Sequence, residues 1–486
     1  MTNQSASNHV LAIDLGTSRV KVGIVNQSLV TIADAARPLD TIVTTWGMAE
    51  QRTDDWLEAI RDAATHVLVQ IGDSSLVSAV VLTAQMPTLV ELTADGAVRA
   101  NAVTWQDSRA DQLVRDRLDG SMRQRVEDVT GAPIDGRYLV PMHLRRNREL
   151  SASRILSAKD FLFTCLTGDF VTDPSTASGF GVLDLARNRW SQSLCDLWGI
   201  TTDLLPTIEP SSHASALSAR GAALLPGVAT GVPVYLGGAD SVCAYHYINS
   251  LLPGALSIID GSSTVLLAKQ RQTPYSPDRV LRTPLIEPRS VGVEMDILAT
   301  GSSIGWLAKL LDVPPSDIEQ LALSHRSPGE SRVLFSPYLA GGEQGVLWRE
   351  DLFGTVSGLT LATERADLAL ALFEGIAFET VCCVRHFDTL IDSRNIVSVG
   401  APDSQHFGAS LVSSLLGRPV VTLESQSPSL LGAALIAFTA MGAQDESGPA
   451  SLVVAPTLAG PYVDSLARKM AEYVAAPHSP HQQSQS

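Results

Sequence analysis

The chain has 486 residues, of which 45% are hydrophobic, and its formal net charge at pH 7 is −16. This length exceeds what one hydrophobic core supports, so we expect roughly two or three domains. The acidic balance, with no basic face along the sequence, argues against a nucleic-acid or anionic-membrane partner. No apolar run reaches the roughly 18 residues that a membrane helix needs.

The cysteines and the two ends of the chain bear on its compartment. The five cysteines are scattered and lack metal-site spacing, a pattern typical of a reduced, cytoplasmic protein. The polar N-terminus lacks the apolar region of a signal peptide. We predict that residues 1–9 and 477–486 are disordered ends, because both are rich in polar side chains.

The first predicted element is a hairpin over residues 11–25, in which two β-rich runs flank a Gly-Thr-Ser turn. Gly16 allows close approach of a ligand, and Thr17 and Ser18 offer hydroxyl and N–H groups for phosphate oxygens. Asp14 precedes the turn, where a carboxylate is well placed to hold a hydrated Mg²⁺. The alternative for this segment alone is an ordinary hairpin.

The rest of the first half alternates helical and strand patterns, which predicts an α/β architecture. A helix is predicted from Asp54, a buried strand over 76–83 and a further helix over 154–166. A second buried strand over 232–236 runs into a Gly-Gly-Ala segment that ends at Asp240. The end of such a strand is where α/β sheets present ligand-binding groups.

The pattern restarts after residue 250. Residues 255–267 repeat the order of apolar run, Asp, Gly, hydroxyl pair and apolar run, about 245 residues after the first hairpin. This repeat predicts two similar domains, 10–245 and 246–476, with a phosphate-binding hairpin in each. Further predicted elements are a loop leading into a helix over 299–307, a long apolar helix over 365–390, and a strand over 396–399 that meets a Gly-rich loop.

Several polar groups at the predicted strand ends suit phosphoryl chemistry on a polyhydroxylated ligand. Asp240 could take a proton from an attacking hydroxyl, help to hold Mg²⁺, or act only as a helix N-cap. Gln85 and Met86, with Trp105 and Asp107, offer amide, aromatic and carboxylate groups that could sort hydroxyls. Trp105 alone is more often a core residue.

Taken together, these motifs resemble the FGGY family of carbohydrate kinases over nearly the whole chain. The resemblance rests on the Asp-Leu-Gly-Thr-Ser hairpin at 14–18, on residues 46–51 with Asp55 and Trp56, on the Lys-Asp-Phe segment at 159–161, and on residues 354–359. It implies two actin-like, ribonuclease H-like ATPase domains with a deep interdomain cleft, and it implies ATP and Mg²⁺ as cofactors.

The resemblance also implies roles for individual residues. Asp240 would be the catalytic base and would share the metal with Asp14. The remaining implied contacts are Gln85, Met86, Pro87, Trp105 and Asp240 for the sugar, and Thr17, Ser18, Gly261, Ser262, Ser263, Gly301, Gly400, Ala401 and Ser404 for ATP.

The substrate is less closely defined. Xylulokinases usually carry Gln-Met-His-Gly where this chain has Gln-Met-Pro-Thr at 85–88, and their Gly-rich adenine loop reads Gly-Ala-Pro-Asp at 400–403 here. Xylulose is the first expectation, and gluconate competes because residues 104–110 resemble a gluconokinase segment. The alternatives of another class are a catalytically weak sugar-sensing relative and an actin- or chaperone-type ATPase. We expect a small-molecule sugar or sugar-acid partner, and the sequence permits a homodimer.

Overall fold

The fold is described from a computed structural model. It describes residues 9–43, 47–146, 152–271, 280–349, 351–392, 394–400, 405–423, 427–443, 451–458 and 460–475. Of the predicted disordered ends, only His9 falls within these ranges, and it begins the first strand. None of the helices in these ranges combines the length and the apolar character needed to cross a membrane.

The strands are short and many. In chain order the described residues contain β1 His9–Leu15, β2 Arg19–Val25, β3 Thr31–Pro38, β4 Glu50–Gln51, β5 Val77–Ala84, β6 Leu89–Leu92, β7 Ala102–Val103, β8 Arg154–Ser157, β9 Val171–Thr172, β10 Leu183–Asp184, β11 Arg189–Trp190, β12 Thr207–Ile208, β13 Ala214–Ala216, β14 Pro233–Ala239, β15 Leu256–Asp260, β16 Thr264–Lys269, β17 Leu281–Pro284, β18 Val291–Ile297, β19 Leu334–Ser336, β20 Thr355–Ser357, β21 Ile396–Val399, β22 Val421–Leu423 and β23 Leu452–Val454.

Helices separate most of these strands. Within the same described ranges they are α1 Thr53–Ile71, α2 Asp111–Arg117, α3 Gly120–Thr130, α4 Leu139–Arg146, α5 Ala158–Thr167, α6 Pro174–Ser178, α7 Gln192–Trp198, α8 Ala219–Ala222, α9 Asp240–Leu251, α10 Gly301–Leu311, α11 Asp317–Leu323, α12 Arg365–Phe387, α13 Gln405–Leu416, α14 Pro428–Met441 and α15 Pro461–Ala475. The predicted α/β architecture is therefore confirmed.

The described residues form two compact units. The first is drawn from Met1–Tyr247, Arg282–Val291 and Ser427–Pro449, and the second from Ile248–Leu281, Gly292–Gln426 and Ala450–Ser486. The first unit thus includes two segments, among them helix α14, that follow residue 247 in the sequence. Function in this unit can depend on residues far apart in the chain.

The first unit is built on a mixed sheet with the strand order β13-β14-β5-β1-β2-β3. Strand β1 is antiparallel to β2 and parallel to β5, which in turn is parallel to β14. Strand β1 is buried along its whole length, as a central strand requires. Helix α1 contributes the fully buried Trp56 to the same hydrophobic core.

The second unit repeats this arrangement. Its sheet contains the consecutive strands β18-β16-β15-β21-β22-β23. Strand β15 is antiparallel to β16 and parallel to β21, as β1 is to β2 and β5. The long helix α12 supplies much of the core, including the buried Leu372, Phe378 and Phe387. The two units therefore share one arrangement of strands around their hairpins.

One predicted helix begins later than expected. Residues 154–157 form strand β8, which is antiparallel to β6, and helix α5 begins only at Ala158. The reason is a capping box, in which Ser157 Oγ accepts a hydrogen bond from Asp160 N and the Asp160 carboxylate accepts one from Ser157 N. The cap places the helix start after Ser157, and this leaves the preceding residues free to pair with β6.

Candidate active site

Three parallel strands of the first unit bring the predicted polar residues to one edge of the sheet. Asp14 on β1 and Gly238 on β14 both lie opposite Thr83 of the intervening strand β5. Neighbouring strands are about 4.8 Å apart, so β1 and β14 are separated by roughly 10 Å. Gln85 directly follows β5, and its N–H donates to Leu15 O at 2.8 Å. Asp14, Gln85 and Asp240 therefore belong to the same edge, the carboxyl edge of the first sheet.

Asp14 is held by a residue that no sequence motif singled out. Its side chain is buried, and its Oδ2 accepts a hydrogen bond of 2.7 Å from Ser429 Oγ on α14. Its other oxygen, Oδ1, is buried without a hydrogen-bond partner among the described residues. Ser429 fixes the carboxylate and leaves one oxygen for a ligand.

This arrangement suits a hydrated Mg²⁺. The described residues hold no group of three or more His, Cys, Asp or Glu side chains able to cage a metal. Mg²⁺ rarely needs such a cage, because it keeps several waters and binds through one or two carboxylates and substrate phosphates. The unpartnered Asp14 Oδ1 is an acceptor of the kind that a metal-bound water would fill.

Asp240 is the first residue of α9, directly after β14. Its Oδ1 accepts a hydrogen bond of 2.9 Å from Ser241 N, and the residue is partly exposed. Asp240 is therefore a helical residue, its bond to the adjacent Ser241 N is not the N2 or N3 bond of an N-cap, and its partial exposure is what a reacting group needs.

The turn between β1 and β2 contains Thr17, which is predicted to bind ATP, and contacts Trp105, which is predicted to bind the sugar. It is closed by a hydrogen bond of 3.1 Å from Gly16 N to Arg19 O. Thr17 Oγ1 accepts a hydrogen bond of 2.9 Å from the indole N–H of Trp105. Ser18 is exposed at the tip. Trp105 is therefore anchored at the hairpin and only partly buried, as a residue that offers its ring to a ligand would be.

The side chain of Gln51 forms hydrogen bonds with Thr17, Trp56 and Gln85 and so connects them. Its Oε1 accepts from Trp56 Nε1 and from Gln85 Nε2, both at 3.0 Å, and its Nε2 donates to Thr17 O at 2.7 Å. The sequence marked residues 46–51 only as a family-like segment, and Trp46 itself lies outside the described residues. The bonds fix the amide of Gln85 so that its Oε1 is buried and has no hydrogen-bond partner in the described part of the chain.

Met86 and Pro87 follow Gln85 at the same edge. Both are partly buried, and the peptide bond between them is cis. The next residue, Thr88, is fully buried, and its Oγ1 lacks a hydrogen-bond partner among the described residues. The segment that follows β5 therefore combines an apolar surface with a buried amide oxygen.

Asp107 is not available to a ligand as predicted. Its Oδ2 accepts a hydrogen bond of 3.0 Å from Ala49 N, and both of its oxygens bond the Arg109 guanidinium. Arg109 also pairs with Glu50 at 2.7 Å. Burial raises the pKa of Glu50, but Arg109 and Arg146 outweigh it and lower that pKa below its usual value. Asp107 therefore serves to connect two segments of the first unit.

A cavity of about 370 Å³ lies beside this ion-pair network. Its lining includes four arginines, but three of their guanidinium groups already face carboxylates. Arg99 pairs with Glu91, Arg109 with Asp107, and Arg146 with both Glu50 and Glu91. An anion in the cavity would have to compete with these partners, so we assign the cavity to the network and not to the reaction.

The corresponding hairpin of the second unit lies between β15 and β16. Its turn is closed by a hydrogen bond of 2.8 Å from Gly261 N to Ser263 O. Asp260 accepts from Thr264 Oγ1 at 2.6 Å and from Ser398 Oγ at 3.3 Å. Burial raises the pKa of the Asp260 carboxyl, and these two hydrogen bonds oppose that shift. Asp260 thus ties β15 to β16 and β21.

Two further predicted residues lie against this hairpin. Gly301 begins α10, and its N–H donates to Gly261 O at 3.2 Å. A Cβ at Gly301 would lie 2.2 Å from that oxygen, so only glycine permits the contact. A Cβ at Gly400 would likewise lie 2.7 Å from Asp260 Cβ. The predictions for Ala401 and Ser404 fall outside the described residues.

Models of one family match most of the chain. The N-terminal domain of the FGGY family of carbohydrate kinases matches residues 9–245, and the C-terminal domain of that family matches residues 256–441. Together the two matches span well over half of the sequence.

Individual relatives agree with the family models. The chain is 26% identical over 448 residues to a xylulose kinase of Bacillus subtilis (strain 168), covering 89% of this chain and 88% of the relative. It is 22% identical over 476 residues to a gluconokinase of Bacillus licheniformis, covering 93% of this chain and 91% of the relative. Among solved structures, a ligand-bound xylulose kinase from Lactobacillus acidophilus matches with a TM-score of 0.80 at 22% identity. The match covers 97% of this chain and 99% of that structure's chain.

Proposed function

Because the chain belongs to the FGGY family of carbohydrate kinases, we propose that it transfers the γ-phosphate of ATP to a hydroxyl group of a small sugar, with a pentulose such as xylulose as the first candidate. Relatives named xylulose kinase and gluconokinase, similar to this chain over about nine-tenths of its length, support a carbohydrate kinase. The observation that carries the proposal is the carboxyl edge of the first sheet, where Asp14 on β1 and Asp240 after β14 belong to the ends of the two strands that flank β5.

Asp240 is the proposed general base. Its carboxylate accepts the proton of the substrate hydroxyl as that oxygen forms its bond to the γ-phosphorus, and the bond from phosphorus to the β-phosphate oxygen breaks to release ADP. The transition state of phosphoryl transfer is loose and leaves little covalent chemistry to the protein, so positioning and charge stabilisation account for most of the rate gain. The partly exposed start of α9 supports this role because a substrate can reach it.

Asp14 is the proposed metal residue, with Asp240 as a second carboxylate nearby. Mg²⁺, when bound, would neutralise phosphate charge at this edge. Asp14 would hold a metal-bound water through Oδ1, the oxygen that has no hydrogen-bond partner among the described residues. Ser429, by bonding Oδ2, would keep that oxygen pointed in a fixed direction.

The sugar side would be formed by Gln85, Met86, Pro87 and Trp105. Gln85 Oε1 is a buried acceptor without a described partner, and a sugar hydroxyl is a donor that would satisfy it. The Trp105 ring would cover the carbon skeleton, as aromatic faces do for carbohydrates. Proline stands at 87 where xylulokinases usually carry histidine, so discrimination among sugars at this position would rest on shape.

On the ATP side, Thr17 and Ser18 of the first hairpin would offer hydroxyl and N–H groups to phosphate oxygens. The second unit has its own residues predicted to bind ATP. There Gly261, Ser262 and Ser263 form the turn, and Gly301 and Gly400 are the glycines that contact it or Asp260. Ala401 and Ser404, which lie outside the described residues, are included in this proposal on the family resemblance alone.

The test is ADP release by the purified protein, with ATP and Mg²⁺, against a panel of pentuloses, polyols and aldonates. We expect turnover that depends on one sugar, with D-xylulose first and D-gluconate second. The gluconate candidate is favoured by residues 104–110 and by the gluconokinase relative. If ATP binds but no member of the panel raises ADP release, the kinase proposal fails and the sugar-sensing alternative replaces it.

A further inference from the structure

The buried carboxylate of Asp173 accepts hydrogen bonds from two serines that contact the end of β14. Asp173 is fully buried just before α6. Its Oδ2 accepts hydrogen bonds from Ser175 N at 2.9 Å, from Ser175 Oγ at 2.5 Å and from Ser211 Oγ at 3.2 Å. All of these residues belong to the first unit. One carboxylate oxygen therefore fixes both serine side chains.

The two serines in turn hold the backbone that leads into Asp240. Ser175 Oγ accepts a hydrogen bond of 3.0 Å from Ala239 N. The carbonyl oxygen of Ser211 accepts one of 2.9 Å from Gly237 N. Between them, Gly238 O accepts a hydrogen bond of 2.9 Å from Thr83 Oγ1. Three consecutive residues before the proposed base are thus tied to groups outside their own strand.

These bonds matter because β14 leaves the regular ladder at this point. Its pairing with β5 shifts register between Tyr235 and Gly238. Gly237 has a φ of +67°, and a Cβ there would lie 1.7 Å from Leu82 O. A bulged strand end is re-aimed relative to its neighbour. The direction in which the chain enters α9 therefore depends strongly on the serine bonds.

Lys159 balances the charge of this network. Its Nζ lies 3.2 Å from Asp173 Oδ1 and 3.0 Å from Asp160 Oδ1, and its side chain is 1% exposed. Burial alone would lower the pKa of Lys159, but the two carboxylates outweigh it and raise that pKa. The ammonium group therefore stays charged and lies between the buried side chains of Asp160 and Asp173.

We propose that Ser175 is a positioning residue for Asp240, acting through the Ala239 peptide with Asp173 and Lys159 as its support. This inference rests on the proposed function, in which Asp240 is the general base. Loss of the Ser175 hydroxyl would free the peptide before Asp240 and let its carboxylate drift from the substrate hydroxyl. Errors of about 1 Å in such groups lower rates by up to roughly a hundredfold.

The test compares Ser175→Ala with Ser218→Ala. Ser218 is a matched control because its Oγ also accepts a backbone N–H at the start of a helix, from Gly221 at 2.9 Å. We expect Ser175→Ala to lower kcat by at least about tenfold while KM for ATP stays within about twofold. Hydrogen–deuterium exchange should quicken in a peptide that spans 234–241 in Ser175→Ala and stay at the wild-type rate there in Ser218→Ala.

Two experimental outcomes distinguish a failure of this inference from a failure of the proposed function. If Ser175→Ala matches Ser218→Ala in kcat and in exchange over 234–241, the positioning role is wrong whatever Asp240 does. If Asp240→Asn keeps full activity, the base assignment is wrong and this inference falls with it. The exchange measurement needs no substrate, so an unchanged rate over 234–241 overturns the inference even without an assay.

Discussion

Two buried oxygen atoms at the carboxyl edge, Asp14 Oδ1 and Gln85 Oε1, have no hydrogen-bond partner among the described residues. An unsatisfied buried acceptor costs about 1–3 kcal/mol. Such a cost is tolerated where a ligand supplies the missing donor. The two acceptors differ in kind, since a carboxylate suits a metal-bound water and an amide oxygen suits a neutral hydroxyl.

Replacing Gln85 tests the amide oxygen. We expect Gln85→Leu to raise KM for the sugar by roughly tenfold, because it removes an acceptor worth about 1–3 kcal/mol. KM for ATP should rise much less than KM for the sugar, since the lost acceptor is on the sugar side and Gln51, which bonds Thr17, keeps its bond from Trp56. Steady-state kinetics against each substrate measure both values. Gln70→Leu, at an exposed position on α1, is the control. An equal rise in both KM values would contradict the assignment.

At the scale of an element, α10 depends on one glycine. Its N-terminus contacts the hairpin of the second unit, where a Cβ at Gly301 would lie 2.2 Å from Gly261 O. We expect Gly301→Ala to displace the helix start and to raise KM for ATP by roughly ten- to a hundredfold. Titration with ATP at a saturating sugar concentration measures the effect.

The same helix supplies the control for that prediction. A Cβ at Gly305, also on α10, would meet no atom within 4 Å. Gly305→Ala should therefore keep KM for ATP and could stabilise the helix by up to about 1 kcal/mol, the propensity difference between the two residues. If both alanine variants behave alike, the hairpin contact of α10 is unimportant for ATP.

In the turn after β19, the carboxyl group of Glu343 makes the stability of the fold depend on pH. Glu343 is buried, and its Oε2 accepts from Leu347 N and Trp348 N, both at 2.9 Å. Burial, followed by the nearby Glu379, raises the pKa of Glu343 from 4.5 to about 7. The protonated form is favoured in the folded state. Its stabilising effect is therefore complete below pH 4.5 and is lost as the pH rises through about 7.

Urea unfolding at several pH values tests this term. The shift in pKa allows the free energy of unfolding to fall by up to about 3 kcal/mol between roughly pH 5 and pH 8 from this carboxyl alone. Glu343→Gln keeps an oxygen for the two backbone donors and removes the charge. The free energy of unfolding of this variant should therefore decline less with rising pH. Glu58→Gln, at an exposed position on α1, should follow the wild type. An identical decline in all three proteins would rule out the role of Glu343.

At the scale of the whole molecule, the repeated hairpin was the most informative part of the sequence. Its two copies predicted two domains of one topology, and the strand orders agree. Strand ends also led to the predictions for Asp14, Gln85 and Asp240, because turn residues and buried runs are local patterns. These features needed only neighbouring residues to be recognised.

The supporting contacts could not be predicted in the same way. Ser429 bonds Asp14 across 415 residues of sequence. Ser175 lies 64 residues from the Ala239 amide that it accepts. Asp107 was predicted at the sugar site because the sequence does not reveal its pairing with Arg109. Contacts between distant segments depend on the folded packing, and no local pattern encodes them.

Whether Asp240 is the general base is decided by kcat of Asp240→Asn with the sugar that the wild type phosphorylates fastest. Removal of a general base should lower kcat by about 10²- to 10⁴-fold, with KM for ATP nearly unchanged. Asp203→Asn, at an exposed position in the same unit, should keep wild-type kinetics. Full activity in Asp240→Asn would contradict the central claim that this carboxylate accepts the proton of the attacking hydroxyl.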